Sequence, residues 1–394
     1  MTAVVTMTGL LDAAAPDLPA HLARSGPVPW RRPLVEHLRD AGLTGRGGAG
    51  FPVWRKLATV AEGAAPVVVA NAAEGEPASA KDHTLLTRAP HLVLDGLQLA
   101  AEAVRAAEAY FYVPRGPAAD AVLRALPERS TWDALPVTVV TAPDHFVAGQ
   151  ESAVVAAVEG RPALPADRLE LTARSGVRGR PTLVQNVETL AHVAQIARYG
   201  PEWFRQRGTA AEPGTFLATV SGAVRHGGVV EVPLGIPLDD LLARAGGPSR
   251  DLRAVLVGGY HGTWIPASDL RIPLSRAALG PLGGSVGAGV VVALDDGQCG
   301  LGVATQIVTY LANQSARQCG PCLNGLPALA RAMTALVRGE GRAEQAHRLA
   351  DLVERRGACH HPDGAARFVR SSLAVFGDEI ACHLRGGCAA RRTA

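Results

Sequence analysis

The apolar residues of this chain form short buried runs that alternate with longer segments of helical spacing. The runs that predict strands lie at residues 67–70, 110–113 and 137–141. The segments with the length and spacing of helices lie at residues 92–109, 118–126 and 149–159. This alternation predicts an α/β fold, Rossmann-like, with a mostly parallel sheet flanked by helices. Ligands of such sheets bind at the carboxyl ends of the strands.

The pattern changes twice after residue 201. Strand-like runs at 215–220, 229–232 and 254–257 surround a helix at 238–245, which indicates a small β-grasp-like unit. The helical segments that follow, with short connections typical of a four-helix bundle, are 303–314, 326–338, 342–355 and 365–383. The predicted division is a flexible N-terminal arm (1–30), an α/β domain (31–205), a β-grasp domain (206–298) and a helical domain (299–394).

Composition excludes several classes of protein. The 394 residues carry a formal net charge of +3 without a basic tract, so nucleic-acid binding is not indicated. No signal peptide is apparent, and no apolar run approaches the roughly 18 residues that a membrane span needs. We therefore expect a cytoplasmic protein without direct membrane insertion. The spacing of the six cysteines points to a metal site rather than to a disulfide framework.

The glycine-rich segment 45–56 is the most informative stretch of the sequence. Four glycines in six residues let the backbone approach a ligand closely, and Pro52 suits the first turn of a following helix. Amides at such a helix start bind phosphate, and Arg46 and Lys56 add two cations. The loop satisfies G-x-G-x-x-G, but a helical segment precedes it, so the ordinary dinucleotide fingerprint does not apply. The segment nevertheless predicts an anion site.

Rare residue types coincide with loops where ligands are expected. The chain has only two lysines and four asparagines, and Asn71 directly follows a predicted strand. The loops 71–77 and 144–151 both fall at the carboxyl ends of strands. Single residues of these types are usually turn formers or solvated surface groups. Their coincidence with glycine-rich and acidic loops favours binding sites.

These pieces together resemble the NADH-binding flavoprotein subunit of respiratory complex I. Related subunits act as diaphorases in hydrogenases and formate dehydrogenases. The resemblance covers residues 30–388 and rests on five ordered motifs. They are Gly-Arg-Gly-Gly-Ala-Gly-Phe-Pro, the 71–77 loop, Gly-Gln-Glu-Ser from Gly149, Gly-Arg-Pro-Thr-Leu-Val-Gln-Asn-Val-Glu-Thr, and Cys319-Gly-Pro-Cys322 with Cys359. The β-grasp unit corresponds to the SLBB-like domain of that family.

The resemblance implies a set of cofactor and substrate contacts. Those implied for FMN are Gly45, Arg46, Gly47, Gly48, Lys56, Asn71, Glu74, Gly149, Gln150, Gln185, Asn186 and Thr189. Those implied for NADH are Phe51, Glu76, Phe146 and Glu151. The implied reaction is hydride transfer from NADH to FMN, followed by single-electron transfer through an iron–sulfur cluster. The cofactors carry this chemistry, and no side chain needs to act as a general base.

Four positions depart from the family pattern around the nucleotide. The family usually has aspartate at Ala73, tyrosine at Phe146, glutamate at Gln150 and asparagine at Gln185. The loss of two acidic groups weakens the repulsion of a more anionic substrate. We therefore hypothesise that the chain either accepts NADPH as well as NADH or binds NADH differently.

The cluster motif is incomplete. The family pattern is Cys-x-x-Cys-x-x-Cys with a distant fourth cysteine, and Ala316 occupies the first position here. A [4Fe–4S] cluster normally takes four cysteines, whereas Cys319, Cys322 and Cys359 supply three. A non-protein ligand is one replacement, and the candidate side chains are Cys299, Cys382, Cys388, His360 and His361. A zinc site completed by His361 and a set of unligated thiols are the alternatives, and ligand type favours the cluster. Taken singly, Cys299, Cys382 and Cys388 are expected to be packing or incidental residues.

The leading function is an NAD(P)H dehydrogenase (diaphorase) module within a hetero-oligomer. Its acceptor is expected to be a protein such as a ferredoxin or a thioredoxin-like [2Fe–2S] subunit. Two alternatives stay open: a degenerate scaffold that binds flavin without oxidising the nucleotide, and a reductase that carries electrons from ferredoxin to NAD(P)⁺. Phe51, Glu76 and Glu151 favour the enzyme, whereas the departures from the family pattern favour the scaffold.

Overall fold

Four parallel strands form the sheet predicted for the first half of the chain. In this computed structural model, which describes residues 9–167, 170–388 and 390, the strand order is β3-β2-β1-β4. The strands are β1 (Val67–Asn71), β2 (Glu108–Pro114), β3 (Val137–Ala142) and β4 (Thr182–Asn186). The predicted parallel α/β sheet is confirmed, and β4 has no counterpart among the predicted strands.

Helices cover both faces of this sheet. They are α1 (Leu18–Ser25), α2 (Leu34–Ala41), α3 (Val53–Ala61), α4 (Lys81–Arg88), α5 (Pro90–Val104), α6 (Pro117–Glu128), α7 (Glu151–Val158), α8 (Val187–Tyr199) and α9 (Pro201–Arg205). Alternate residues of β1 enter opposite cores, because side chains of a strand alternate between its faces. Val68 and Ala70 pack with α3, α5 and α8, whereas Val67 and Val69 pack with α7. The helix predicted over 92–109 ends earlier, at Val104.

The N-terminal segment 9–30 packs onto the α/β domain instead of forming a loose arm. Leu10 is fully buried, and His21 Nε2 lies 2.7 Å from Asp95 Oδ2. Asp95 also pairs with Arg198 and lies 2.7 Å from Arg129 Nη1. Burial raises the pKa of Asp95, but the hydrogen bond from His21 and the charges of Arg198 and Arg129 lower it to about 2. The expectation of a flexible arm is therefore wrong for residues 9–30, and residues 1–8 lie outside the described residues.

A second, mixed sheet follows with strand order β6-β5-β9-β7-β8. Its elements are β5 (Thr215–Gly222), β6 (Gly228–Pro233), α10 (Leu238–Arg244), β7 (Leu252–Val257), β8 (Thr263–Pro266), α11 (Arg276–Leu279) and β9 (Val290–Asp295). Strands β5 and β9 are parallel, and the other neighbours are antiparallel. The turn at Gly259–His261, between β7 and β8, contacts the first domain and becomes part of the site described below.

The C-terminal region is helical, as predicted. It consists of α12 (Gly300–Asn313), α13 (Leu326–Val337), α14 (Ala343–Val353), α15 (His361–Val375) and α16 (Gly377–Leu384). The helix predicted over 365–383 is two helices that meet at Phe376. His361, at the start of α15, bonds to Leu311 near the end of α12, and Phe376 packs against Gly300 at the start of α12. α12 and α15 are therefore antiparallel. Within the described part of the chain, no helix combines the length and apolarity needed to span a membrane.

Candidate functional site

The glycine loop between α2 and α3 lies against the carboxyl end of β4 and the first turn of α8. The Arg46 amide donates to Thr189 Oγ1 at 2.9 Å, and the Gly45 amide closes the loop onto Phe51 O at 2.9 Å. A Cβ atom at Gly47 would lie 3.3 Å from the Cβ of Asn186, and Gly48 has φ +104°. The close approach and the positive φ both explain why the sequence has glycine here.

Four consecutive amides of this loop are available to a ligand. The N–H groups of residues 47–50 donate to no acceptor among the described residues. Residues 47–49 are exposed, so these groups point to a surface that a ligand can reach. Successive unpaired amides form a concave anion-binding nest. The donor set therefore fits the phosphate of a nucleotide or a flavin.

The two expected cations are held in different places, and only Lys56 lies at the carboxyl edge of the sheet. Lys56 Nζ donates to Val184 O at 2.7 Å and pairs with Glu151, which begins α7. The Arg46 guanidinium is instead buried, and it donates to Thr215 O at 3.0 Å and to Thr44 Oγ1 at 2.9 Å. The expectation that the Arg46 side chain adds charge to the anion surface is wrong, because its guanidinium holds the loop onto β5.

Two asparagines end the adjacent strands β1 and β4 and tie the loops together. Asn71 Nδ2 donates to Gly149 O at 2.9 Å, and Asn71 Oδ1 accepts from the Ala73 amide at 3.1 Å. Asn186 Oδ1 accepts from the Glu188 amide at 3.0 Å and so caps α8. The loops 71–77 and 144–151 therefore meet at the carboxyl edge of the sheet, as the sequence predicts. Gln185 and Thr189 are buried beside Asn186, and their contacts with a flavin stay predictions.

The rare residue Lys81 is part of a buried charge network beneath the site. Its ammonium lies 2.7 Å from Asp82 Oδ1 and 2.8 Å from Glu188 Oε2. Asp82 Oδ2 accepts from Asn186 Nδ2 at 2.6 Å. Burial raises the pKa of Asp82 to about 6 although the Lys81 charge opposes this rise. The network fixes the starts of α4 and α8 at the edge where the ligand is expected.

Two further predicted ligand residues serve as helix caps. Glu74 accepts from the amides of Asp82 and His83, each at 3.1 Å, at the start of α4. Gln150 Oε1 accepts from the Ser152 amide at 2.7 Å at the start of α7. Because these oxygens are engaged with helix amides, both side chains have a framework role. Direct contact of Glu74 or Gln150 with a cofactor stays a prediction.

Glu76 differs from Glu74 and Gln150, because one of its carboxylate oxygens is buried without a hydrogen-bond partner among the described residues. Oε2 accepts from the Tyr260 amide at 2.9 Å, whereas Oε1 has no hydrogen bond. Burial raises the pKa of Glu76 to about 7, although the amides of Tyr260 and Ala78 oppose the rise. An unpaired oxygen and a perturbed carboxyl at a strand end are typical of a binding site.

The two aromatic residues predicted to contact NADH lie in different environments. The side chain of Phe51 is 53% exposed at the end of the glycine loop, so a flat ligand can stack on it. The ring of Phe146 is 4.8 Å from that of His261 and 5.4 Å from that of His361, between centroids. Phe146 therefore packs where the three domains meet, and its contact with NADH stays a prediction.

The three predicted cluster cysteines come together between α12, α13 and α15. Cys322 is buried, its amide donates to Cys319 O at 3.0 Å, and burial with the nearby Cys319 and Cys359 thiols raises its pKa to about 12. Three converging thiols match three of the four ligands of a [4Fe–4S] cluster. Ala316 offers no donor, and the neighbouring Ser315 hydroxyl is buried without a partner among the described residues.

Most candidates for the fourth ligand are placed elsewhere. Cys299 precedes α12, whereas Cys359 lies near the end of α12, and the eleven helical steps from Gly300 to Leu311 span roughly 16 Å. Cys382 and Cys388 lie at the same end as Cys299, since α16 packs there. His361 is engaged through Nε2 with Leu311 O at 2.8 Å and through Nδ1 with His261 at 3.1 Å, which also disfavours the zinc alternative. His360 is 99% exposed and bonds through Nδ1 to Asp363 at 3.1 Å, so its Nε2 and a non-protein ligand stay the open candidates.

An amide nest at the carboxyl edge of a parallel sheet and a separate group of three thiols in the helical region are typical of a nucleotide-binding redox protein with a metal centre. Comparison with known families agrees with this class. Residues 38–195 match the "Nuo51 FMN-binding domain" and residues 217–259 match the SLBB domain. Residues 302–383 match the "NADH-ubiquinone oxidoreductase-F iron-sulfur binding region".

Similar proteins cover nearly the whole chain. The second F-type subunit of the NADH-quinone oxidoreductase of Rhizobium meliloti is 34% identical over 373 residues, which is 89% of this chain and 88% of that protein. The F-type subunit of the Streptomyces coelicolor enzyme is 32% identical over 378 residues, 90% of this chain and 84% of that protein. The chain belongs to this family of F-type NADH-quinone oxidoreductase subunits. It carries the FMN-binding and iron–sulfur-binding domains of that family, as the sequence predicts.

Solved structures with this fold include an NAD⁺-reducing [NiFe]-hydrogenase. Its crystal structure in the H₂-reduced state superposes with a TM-score of 0.83 at 30% identity, covering 93% of this chain. The air-oxidised state gives the same TM-score at 31% identity, covering 89% of this chain. The chain spans 66% and 62% of the length of these two hydrogenase chains. The predicted three-part fold of α/β domain, SLBB domain and helical region is thereby confirmed.

Proposed function

We propose that this chain is the NADH-oxidising module of an electron-transfer assembly, with FMN at the glycine loop and an iron–sulfur cluster at the three converging cysteines. The observation that carries the proposal is the nest of four amides at residues 47–50, which have no acceptor among the described residues and lie at the sheet edge that Lys56 faces. When bound there, FMN accepts two electrons from NADH and releases them singly.

In this proposal the side chains and amides of the chain bind the flavin and the nucleotide and orient them. The nest and Lys56 hold a phosphate, and Asn71 holds the loops 71–77 and 144–151 together at the flavin position. Lys56 bridges Val184 and Glu151, so its ammonium stays at the sheet edge. Phe51 offers an exposed ring for stacking, and the unpaired oxygen of Glu76 offers an acceptor for a nucleotide hydroxyl. These contacts position the nucleotide without any side chain that moves a proton.

Cys319, Cys322 and Cys359 would hold the cluster, and a ligand other than cysteine would complete it, because the other described cysteines lie at the far end of α12. The acceptor is a partner protein in a hetero-oligomer, and a ferredoxin or a thioredoxin-like [2Fe–2S] subunit suits single-electron transfer. A scaffold without nucleotide oxidation is less favoured, because Phe51 keeps an exposed ring and Glu76 keeps a buried oxygen without a partner among the described residues.

The test is reduction of an artificial dye by NADH with the full, anaerobically purified and FMN-loaded chain. Lys56→Met is expected to lose FMN, as measured by flavin content, because it removes the cation beside the nest. Arg55→Met is the matched control, since Arg55 is an exposed cation on the same helix that stacks on Trp54 at 5.2 Å. Bound FMN without dye reduction would support the scaffold, and failure to bind FMN would refute both functions.

A further inference from the structure

A second group of sulfur and nitrogen ligands lies at the start of α12. Cys299 immediately precedes that helix, His383 is in the last turn of α16, and Cys388 follows α16. Cys299 Sγ is 3.2 Å from His383 Nε2, and the ligand atoms of all three residues lie within 4.8 Å of one another. The expectation that Cys299 and Cys388 are incidental residues does not account for this convergence.

The local sequence brings these three side chains together. Gly386 has φ +77°, and the amides of Gly386 and Gly387 bond back to His383 O at 2.9 Å and Cys382 O at 3.0 Å. Because a left-handed residue reverses the chain after a helix, this turn returns Cys388 to the α16 face that carries His383.

Glu379 fixes α16 against α12 one turn before His383. It accepts from the amides of Gly300 at 3.2 Å and Leu301 at 2.8 Å, and it pairs with Arg253 at 2.9 Å. Residues four apart share one face of a helix, so this anchor also directs His383 toward Cys299. The pair is thus pre-positioned by contacts that need no metal.

We propose that Cys299, His383 and Cys388 bind a zinc ion. Zinc takes thiolate sulfur at about 2.3 Å and imidazole nitrogen at about 2.0 Å, so tetrahedral ligands lie roughly 3.5–3.8 Å apart. The observed separations, 3.2 Å for one pair and at most 4.8 Å for the others, need only small side-chain adjustments. Two thiolates and a neutral imidazole balance the charge of Zn²⁺. Glu379 Oε2 lies 3.4 Å from Cys299 Sγ but already accepts from the Leu301 amide at 2.8 Å, so water takes the fourth position.

This site is separate from the cluster. The length of α12 puts roughly 16 Å between its start and the region of Cys359, too far for a shared ligand. A zinc ion at this site would link Cys388, in the segment after α16, to Cys299 at the start of α12. The proposal therefore stands independently of FMN binding and nucleotide oxidation.

The test is metal analysis of the full chain, expressed with zinc and dialysed. We expect one zinc per chain, and we expect Cys388→Ser and His383→Ala to weaken zinc retention by at least about tenfold. Cys388 is exposed, so its replacement leaves the core unchanged. Cys382→Ser is the matched control, because Cys382 adjoins His383 without belonging to the group, and it should keep its zinc. Cobalt substitution should give thiolate-to-cobalt charge-transfer absorption that Cys388→Ser reduces.

Three results would overturn the proposal: wild-type chain without zinc, iron held by these residues, or a Cys299–Cys388 disulfide found by peptide mapping. Cys319→Ser distinguishes the two metal sites, since it should lower iron and leave zinc unchanged. Loss of zinc in Cys319→Ser would place the zinc at the cluster cysteines and also overturn the assignment.

Discussion

The buried carboxyl of Glu76 makes stability of the protein depend on pH in a way that can be measured. One oxygen accepts an amide hydrogen bond from Tyr260 at 2.9 Å, and the other has no partner among the described residues. An ionised carboxylate in this position is poorly compensated. Replacement by glutamine removes the charge and keeps the shape, so Glu76→Gln isolates the effect of ionisation.

The magnitude follows from the pKa. Burial raises the pKa of Glu76 from 4.5 to about 7, and about 2.5 pKa units correspond to roughly 3 kcal/mol between the protonation states. When folding raises the pKa of a carboxyl, its protonated form contributes fully to the free energy of unfolding below the unfolded-state pKa. That contribution is lost as pH rises through the folded-state pKa. The unfavourable ionisation of Glu76 therefore develops between about pH 4.5 and pH 7.

The assay is urea unfolding of the full chain and of Glu76→Gln at about pH 5 and pH 8. We expect the free energy of unfolding of Glu76→Gln, relative to that of wild type, to rise by roughly 2 kcal/mol from about pH 5 to about pH 8, because only wild type has a carboxyl to ionise at this position. The comparison at about pH 5 is the internal control for packing changes. A difference between the two proteins that does not change with pH would refute the argument.

Three further predictions follow from other parts of the structure. Phe51→Ala should raise KM for NADH about 2- to 13-fold with little change in kcat, since stacking contributes roughly 0.5–1.5 kcal/mol. Leu171→Ala is the control, because Leu171 is likewise a large exposed apolar residue, and an unchanged KM in Phe51→Ala would contradict the stacking role. Asp95→Asn should lower the free energy of unfolding by roughly 3–5 kcal/mol, because it leaves the buried Arg198 guanidinium without a carboxylate partner and leaves Arg129 with Asp133 alone; urea unfolding would contradict this with a loss below about 1 kcal/mol. Steady-state kinetics should show turnover with NADPH as well as NADH, and Ala73→Asp should favour NADH again; a strong NADH preference of wild type would reject that hypothesis.

The sequence alone predicts the framework of the site well. Short apolar runs identify β1 and β2, because strands covered on both faces are continuously apolar, whereas β-branched valines and threonines identify the edge strand β3. The glycine loop and the loops 71–77 and 144–151 meet at one sheet edge as expected, since the carboxyl ends of parallel strands share an edge. The pattern does not identify β4, because its polar end, Gln185-Asn186, has the composition of a loop.

Side-chain direction could not be predicted from the sequence. Arg46 is a cation beside a glycine loop in the sequence, yet its guanidinium bonds to β5, about 170 residues further along the chain. Glu74 occupies a motif position and nevertheless caps α4. The group of Cys299, His383 and Cys388 depends on a turn and on helix packing. Its one local signal is the histidine five residues before a cysteine, with two glycines between them.

The departures from the family pattern change the charge of the site while its framework is kept. Gln150 caps α7 with a neutral oxygen as a carboxylate would, so a glutamine is sufficient for the fold there. The backbone amide of Ala73 donates to Asn71 Oδ1, and this hydrogen bond does not depend on the side chain at position 73. What disappears is negative charge at the edge where a nucleotide approaches. One carboxylate about 8 Å from a phosphate repels it by roughly 2 kcal/mol at an effective dielectric constant near 20, which is more than a tenfold effect on affinity. These two positions are therefore suited to set nucleotide preference without altering the fold.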